Sequence, residues 1–146
     1  LQIFRLPGIY GPGRSSIEVI QAKKNNIVTK KGQVFSRIHI DDIAGAIIHL
    51  INLFSEGIHP KIINIADNLP ATNLEVMTYT ANLLKYPLPP IESFENASKN
   101  MSPMARSFWK ENRKVNNNIL CNILGYNLIH SDYKSGLNDC FKSFIQ

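Results

Sequence analysis

The 146 residues, 44% hydrophobic and 18% charged, suit one globular domain of modest core and exclude a disordered or fibrous chain. Sixteen Lys and Arg against 11 Asp and Glu leave a charge of +5, and residues 1–37 hold Arg5, Arg14, Lys23, Lys24, Lys30, Lys31 and Arg37 against Glu18 alone. That end favours an anionic partner or forms a solvated basic face; nucleic acid is disfavoured because no helix-turn-helix, zinc-ligand spacing or aromatic-interleaved basic strand accompanies the charge.

Leu1, Ile3, Phe4 and Leu6 make a short apolar run without strict alternation, which predicts a strand buried on both faces of a parallel sheet. Ligands of open α/β sheets bind beyond the carboxyl ends of strands, so Pro7–Arg14 lies where a ligand belongs. Ser15 or Ser16 caps a helix over about 16–24, ended by Asn25 and Asn26. Residues 27–29 read as a short strand, 30–33 as a turn and 34–40 as an alternating strand. Asp41 or Asp42 then caps the longest helix, about 43–54, whose apolar residues cover most of its circumference and predict a core helix. His39 reads as a half-buried strand histidine bonded to backbone, since no acid or hydroxyl partner can be named for it.

A second buried strand spans 61–66, followed by a turn at 67–70. Thr72 opens a helix with Glu75 as capping-box partner, and Pro87, Pro89 and Pro90 end it after Tyr86. Residues 92–104 are polar and irregular, with one helical turn expected at 93–97. Helices are expected over about 103–111, 117–124 and 132–144, with 126–129 extended. Cys121 and Cys140 are too few and too far apart for a disulfide framework, and both are expected to be reduced. No apolar run approaches the ~18 residues of a membrane span, and no charged leader precedes an apolar core, so the expected compartment is the cytoplasm. Strand and helix alternate over 1–86, which predicts an α/β class; 87–146 read as a small, mostly helical cap.

Three stretches are less generic: Arg5-Leu-Pro-Gly-Ile-Tyr-Gly-Pro-Gly-Arg14, Ser36-Arg-Ile-His-Ile-Asp-Asp-Ile-Ala44 and Ile63-Asn-Ile-Ala-Asp-Asn-Leu-Pro70. In this order and spacing they resemble the C-terminal half of extended short-chain dehydrogenase/reductases, the NAD-dependent epimerases and dehydratases. Ser102–Phe108 and Tyr126–Leu137 resemble the tail of a bacterial subgroup of that family. The resemblance implies the distal part of a Rossmann-type parallel sheet over 1–86 and a helical substrate-binding lobe over 87–146, one incomplete domain without its N-terminal cofactor half. It also implies NAD or NADP as cofactor, with Leu6, Pro7 and Gly8 against the nicotinamide ring. A proline fixes the backbone there, and a glycine lets it approach a flat ring. Tyr10, Arg14, Phe35 and Arg37 are the implied substrate-cleft residues.

The family's glycine-rich turn and its Tyr-x-x-x-Lys pair are not found. The five tyrosines are followed four residues later by Arg14, Leu83, Pro90, His130 and Leu137. No catalytic residue is therefore assigned and no metal ligand is named, and activity of this chain alone is not expected. Gly8-Ile-Tyr-Gly11-Pro-Gly13 mimics a dinucleotide fingerprint, but its third glycine is misplaced and Pro12 removes an amide donor. Gly8 stands where nucleotide-sugar epimerases of the family carry Asn, and Phe35 where their Arg grips a diphosphate. The implied substrate is thus a smaller carbonyl compound, with Arg14 and Arg37 available to an anionic group. Two origins fit: a remnant of an eroded gene, or one partner of a split enzyme whose separate N-terminal half covers the Leu1–Leu6 strand. The alternative is a non-enzymatic module that binds an anionic metabolite or a protein.

Overall fold

The computed structural model describes all residues, Leu1–Gln146. Its strands are β1 (Ile3–Arg5), β2 (Gly8–Tyr10), β3 (Ile27–Thr29), β4 (Arg37–His39), β5 (Ile62–Asn64) and β6 (Ile91–Ser93). The helices are α1 (Ser16–Ala22), α2 (Ile40–Ser55), α3 (Asn73–Leu84), α4 (Phe94–Ala97), α5 (Pro103–Ser107) and α6 (Tyr133–Phe144). Every strand pair is parallel: β1 with β5, β2 with β4, β3 with β6. Parallel pairing demands long crossovers, and helices fill these connections. Ile65 N donates to Arg5 O and Asp67 N to Arg37 O, so the chain leaving β5 stitches the first ladder to the second. This is the α/β architecture expected of the sequence.

Two capping boxes set the helix starts. Ser15 receives Ile17 N while Glu18 reaches back to Ser15 N, and Thr72 and Glu75 do the same for α3. The apolar faces then meet in three clusters. Tyr10, Ile17, Val76, Tyr133 and Leu137 join β2, α1, α3 and α6; Ile38, Ala46, Leu50, Ile63 and Tyr126 join α2 to the ladders; Ile20, Ile27, Met77 and Ala81 join α1, β3 and α3.

Several elements depart from expectation for identifiable reasons. β1 is not buried on both faces: Phe4 packs inward, but Ile3 is 46% and Leu6 41% exposed, because only β5 pairs with it. α2 is a half-covered helix, with Ala46 and Leu50 inside and Ile48 and Ile51 at 63% and 59% exposure. Its cap is His39, whose Nδ1 accepts from Asp41 N, so neither Asp41 nor Asp42 is the cap. The strand expected at 34–40 shrinks to Arg37–His39, because Val34 N bonds to Asn112 Oδ1 and the Phe35 backbone pairs antiparallel with Ala71. Residues 91–93 pair with β3 rather than staying irregular, the helix expected over 103–111 stops at Ser107, and 119–123 form a single π-helical turn. No helix is long and apolar enough to cross a membrane.

Candidate functional site

A cavity of about 760 Å³ opens beyond the ends of β2 and β4. β2 supplies Gly8 and Tyr10, the following turn Arg14, and β4 Arg37. α1 and α3 line one side with Val19, Val76 and Met77, α6 adds Tyr133 and Leu137, and the segment after α4 closes over with Met101, Ala105 and Trp109. Trp109 is held from two sides, edge-on by Phe35 at 5.1 Å and stacked by Phe94 at 5.5 Å between ring centroids. The backbone around it is clasped as well: Lys30 Nζ donates to Trp109 O, Gln33 Nε2 donates to Glu111 O at 2.8 Å, and Val34 N donates to Asn112 Oδ1 at 3.0 Å.

The glycine-rich mouth is a closed turn. Gly11 N donates to Arg14 O and Arg14 N to Gly11 O, Gly13 sits at φ +80° where glycine is favoured, and a Cβ on Gly11 would run into Ile40. The Gly11 and Arg14 amides are spent on each other's carbonyls and Pro12 has none, so the turn lacks the converging amides of a phosphate cradle. The turn instead holds Arg14 exposed at the rim.

Arg37 lies deeper, with Nη1 donating to Phe35 O at 2.9 Å and Ala71 O at 3.1 Å. Burial pulls its pKa below the ordinary guanidinium value, opposed by nearby Asp67. Asp67 is 2% exposed; its Oδ1 accepts from Leu69 N while Oδ2 has no partner. Burial pushes its carboxyl up to about 7, against the pull of that amide bond and of Arg37. The Tyr10 hydroxyl is buried without a partner and held neutral, chiefly by burial. Tyr10 therefore offers the cavity its ring, set edge-on to His39 at 5.2 Å. Apolar walls with a cation at the rim and another in the wall can hold a small molecule carrying one anionic group.

No protein-family model matches the sequence, and neither does any curated protein. Solved structures do match. A conserved protein of unknown function from Silicibacter pomeroyi is 35% identical, with a TM-score of 0.85 over 100% of this chain and 49% of its own. The human epimerase family protein SDR39U1, solved with NADPH, is 18% identical, with a TM-score of 0.75 over 95% of this chain and 47% of its own. The dTDP-glucose 4,6-dehydratase of Bacillus anthracis, solved with NAD, is 18% identical, with a TM-score of 0.69 over 97% and 43%. The fold is that of the NAD-dependent epimerase/dehydratase family. The chain spans about half the length of the solved structures it matches.

Of the residues singled out in the sequence, Gly8, Tyr10, Arg14 and Arg37 converge on the cavity of this epimerase/dehydratase half. Phe35 does not line it and reaches it only through Trp109. Leu6 and Pro7 stand outside it, between β1 and β2. Trp109, Met101 and Tyr133 were missed. A lone tryptophan in a polar stretch, with Phe94 nearby, was the one available signal.

Proposed function

We propose that this chain is the C-terminal half of an NAD- or NADP-dependent oxidoreductase of the epimerase/dehydratase type. It contributes the nicotinamide-side loop and the substrate cleft; an N-terminal half contributes the glycine-rich turn and the Tyr-x-x-x-Lys pair. The observation that carries this reading is the 35% identical match running over 100% of this chain and 49% of its counterpart.

The cofactor loop fits the reading. A Cβ on Gly8 would make only ordinary contacts, 3.4 Å to Ser36 O and 3.7 Å to Arg37 Cγ, so the chain's own packing does not demand glycine there. A flat ring lying on the backbone does. Leu6, Pro7 and Gly8 would hold the nicotinamide, which when bound supplies the hydride-transfer chemistry. The substrate is a small carbonyl compound with an anionic group, held by Arg14 and Arg37 against Tyr10, Met77 and Trp109.

The N-terminal half would dock on the apolar residues left uncovered. Phe4 and Ile63 face the α2 side of the β1–β5 ladder, which leaves Ile3 and Ile62, a register pair, on the opposite face at 46% and 41% exposure. The test is co-expression with the half encoded upstream of Leu1 or, where none is encoded, with the N-terminal half of the Silicibacter pomeroyi protein. Association and an NAD(P)H fluorescence change that neither half gives alone are expected. Failure of both would overturn the reading. Anion binding by this chain alone at low salt, with no cofactor binding in the pair, would mark a binding module instead.

A further inference from the structure

Behind the Tyr10 wall, four side chains from distant parts of the sequence meet: His39 at the end of β4, Asp41 in the first turn of α2, His130 in the loop before α6, and Asp139 on α6. One ligand atom from each lies within 4.8 Å of all the others. We propose that these residues form a structural site for a divalent transition-metal ion of the zinc type.

Three observations support the site. The first is spacing: with one ring nitrogen counted per histidine, His39 Nε2 to Asp139 Oδ2 and His130 Nε2 to Asp41 Oδ2 are each 3.6 Å. That is too long for hydrogen bonds. It lies close to the separation of about 3.4 Å between two ligands of a tetrahedral zinc with bonds near 2.0–2.1 Å.

The second is an orphan. His130 is 8% exposed and its Nε2 has no hydrogen-bond partner. Its Nδ1 lies 3.2 Å from Ser135 Oγ. A proton on Nδ1 donated to that hydroxyl leaves the Nε2 lone pair aimed into the cluster. This is how a ligating histidine is oriented by the group behind it. Without an ion, a buried acceptor there goes unsatisfied.

The third is the donor set. Two imidazoles and two carboxylates neutralise a divalent ion, and nitrogen donors favour zinc over calcium or magnesium, which take oxygen. The Asp41 and Asp139 side chains are 52% and 39% exposed, so an ion can enter from solvent.

Asp41, His130 and Asp139 need no rearrangement of partners to bind. His39 does, because its Nδ1 accepts from Asp41 N at 3.2 Å. It becomes the fourth ligand through Nε2 once Nδ1 carries the ring proton and releases that amide, and its ring already lies 4.2 Å from that of His130. Cys140 Sγ lies 3.7 Å from His39 Nε2 and is not among the four residues whose ligand atoms converge. The loaded site would join the β4–α2 junction to the loop at 130 and to α6.

The test is titration of the chelator-treated full chain with Co²⁺, reading the visible absorption of four-coordinate cobalt, followed by displacement with Zn²⁺ and a melting curve. One equivalent of cobalt, its bands lost on adding zinc, and a zinc-dependent rise in Tm are expected. His130→Asn keeps an amide near Ser135 while deleting Nε2, and Asp139→Asn removes a half-exposed ligand on α6. Each should weaken cobalt binding at least tenfold, whereas His59→Gln, outside the cluster, should leave it unchanged. Absence of cobalt binding overturns the proposal. So does binding that survives both Asp139→Asn and His130→Asn; should the latter fail to fold, Asp139→Asn decides alone.

Discussion

At the junction of β4, α2 and α6 the chain buries polar groups and holds the Asp42 carboxylate with its own donors, whereas on the outer sides of β1, β5 and α2 it leaves apolar groups uncovered. Asp42 is 0% exposed, and its carboxylate accepts from Tyr126 Oη at 3.1 Å, Ile129 N at 2.7 Å and His130 N at 2.9 Å. Gly45 and Gly136 have no side chain where Tyr126 and Tyr10 lie against them. On the other side, Ile48 and Ile51 are 63% and 59% exposed and Ile3 46%. The first region is specified by this chain's own contacts. The second has the composition of a contact surface.

The largest effect should come from breaking the self-contained junction. Asp42→Ala leaves the Tyr126 hydroxyl and two backbone amides without their acceptor and should cost on the order of 3 kcal/mol. Asp42→Asn keeps an acceptor oxygen and should cost less. Urea unfolding of the two variants measures this. A loss for Asp42→Ala smaller than about 1 kcal/mol would mean that water replaces the carboxylate, and the junction would then be no more specified than the outer face.

Local chemistry was legible in the sequence and remote chemistry was not. The Thr72–Glu75 capping box needs only neighbours along the chain and is present, whereas the helix ends at Leu84 with Lys85 left-handed, two residues before Pro87. Gly8, Tyr10, Arg14 and Arg37 could be gathered through the family resemblance and, for the stretch up to Arg14, because parallel sheets place ligands beyond strand ends. Asp42 looked like a cap because aspartate is common there. Its actual partners, Tyr126, Ile129 and His130, are 84 to 88 residues away. β6 was invisible for the same reason: three residues, Ile91–Ser93, carry no period, and only pairing with β3 makes them a strand. Trp109 is held at the cavity wall by bonds from Lys30, Gln33 and Val34 to residues 109–112, while the Phe35 backbone pairs with Ala71 instead of extending β4.

A smaller effect tests where the junction is least well satisfied. The Asp67 carboxyl is raised from 3.8 to about 7, chiefly by burial. The folded chain therefore keeps a proton that the unfolded chain has released. This contribution to stability is fully present below about pH 4 and is lost as pH rises through 7. Asp67→Asn removes the titrating group while its amide oxygen can still accept from Leu69 N. At pH 8 it should stabilise the chain by on the order of 2 kcal/mol, and the gain should shrink towards pH 4.5. Urea midpoints at the two pH values decide; equal gains at both would mean that Asp67 does not titrate as a buried acid.

The smallest effect is the sharpest test of the contrast, because it asks for almost nothing. Ile48→Glu with Ile51→Lys replaces the exposed stripe of α2 by residues of equal or better helix propensity, with the acid N-terminal to the base. If that face has no partner within the chain, stability should change by less than about 0.5 kcal/mol, as at other surface positions. Self-association in sedimentation velocity should fall, because the apolar stripe is gone. Leu50, one residue before Ile51 and 0% exposed, provides the internal reference. A loss above about 1 kcal/mol in the double variant would show that Ile48 and Ile51 are packed in solution after all. Unchanged stability with reduced association would place the boundary between core and contact surface along the length of this one helix.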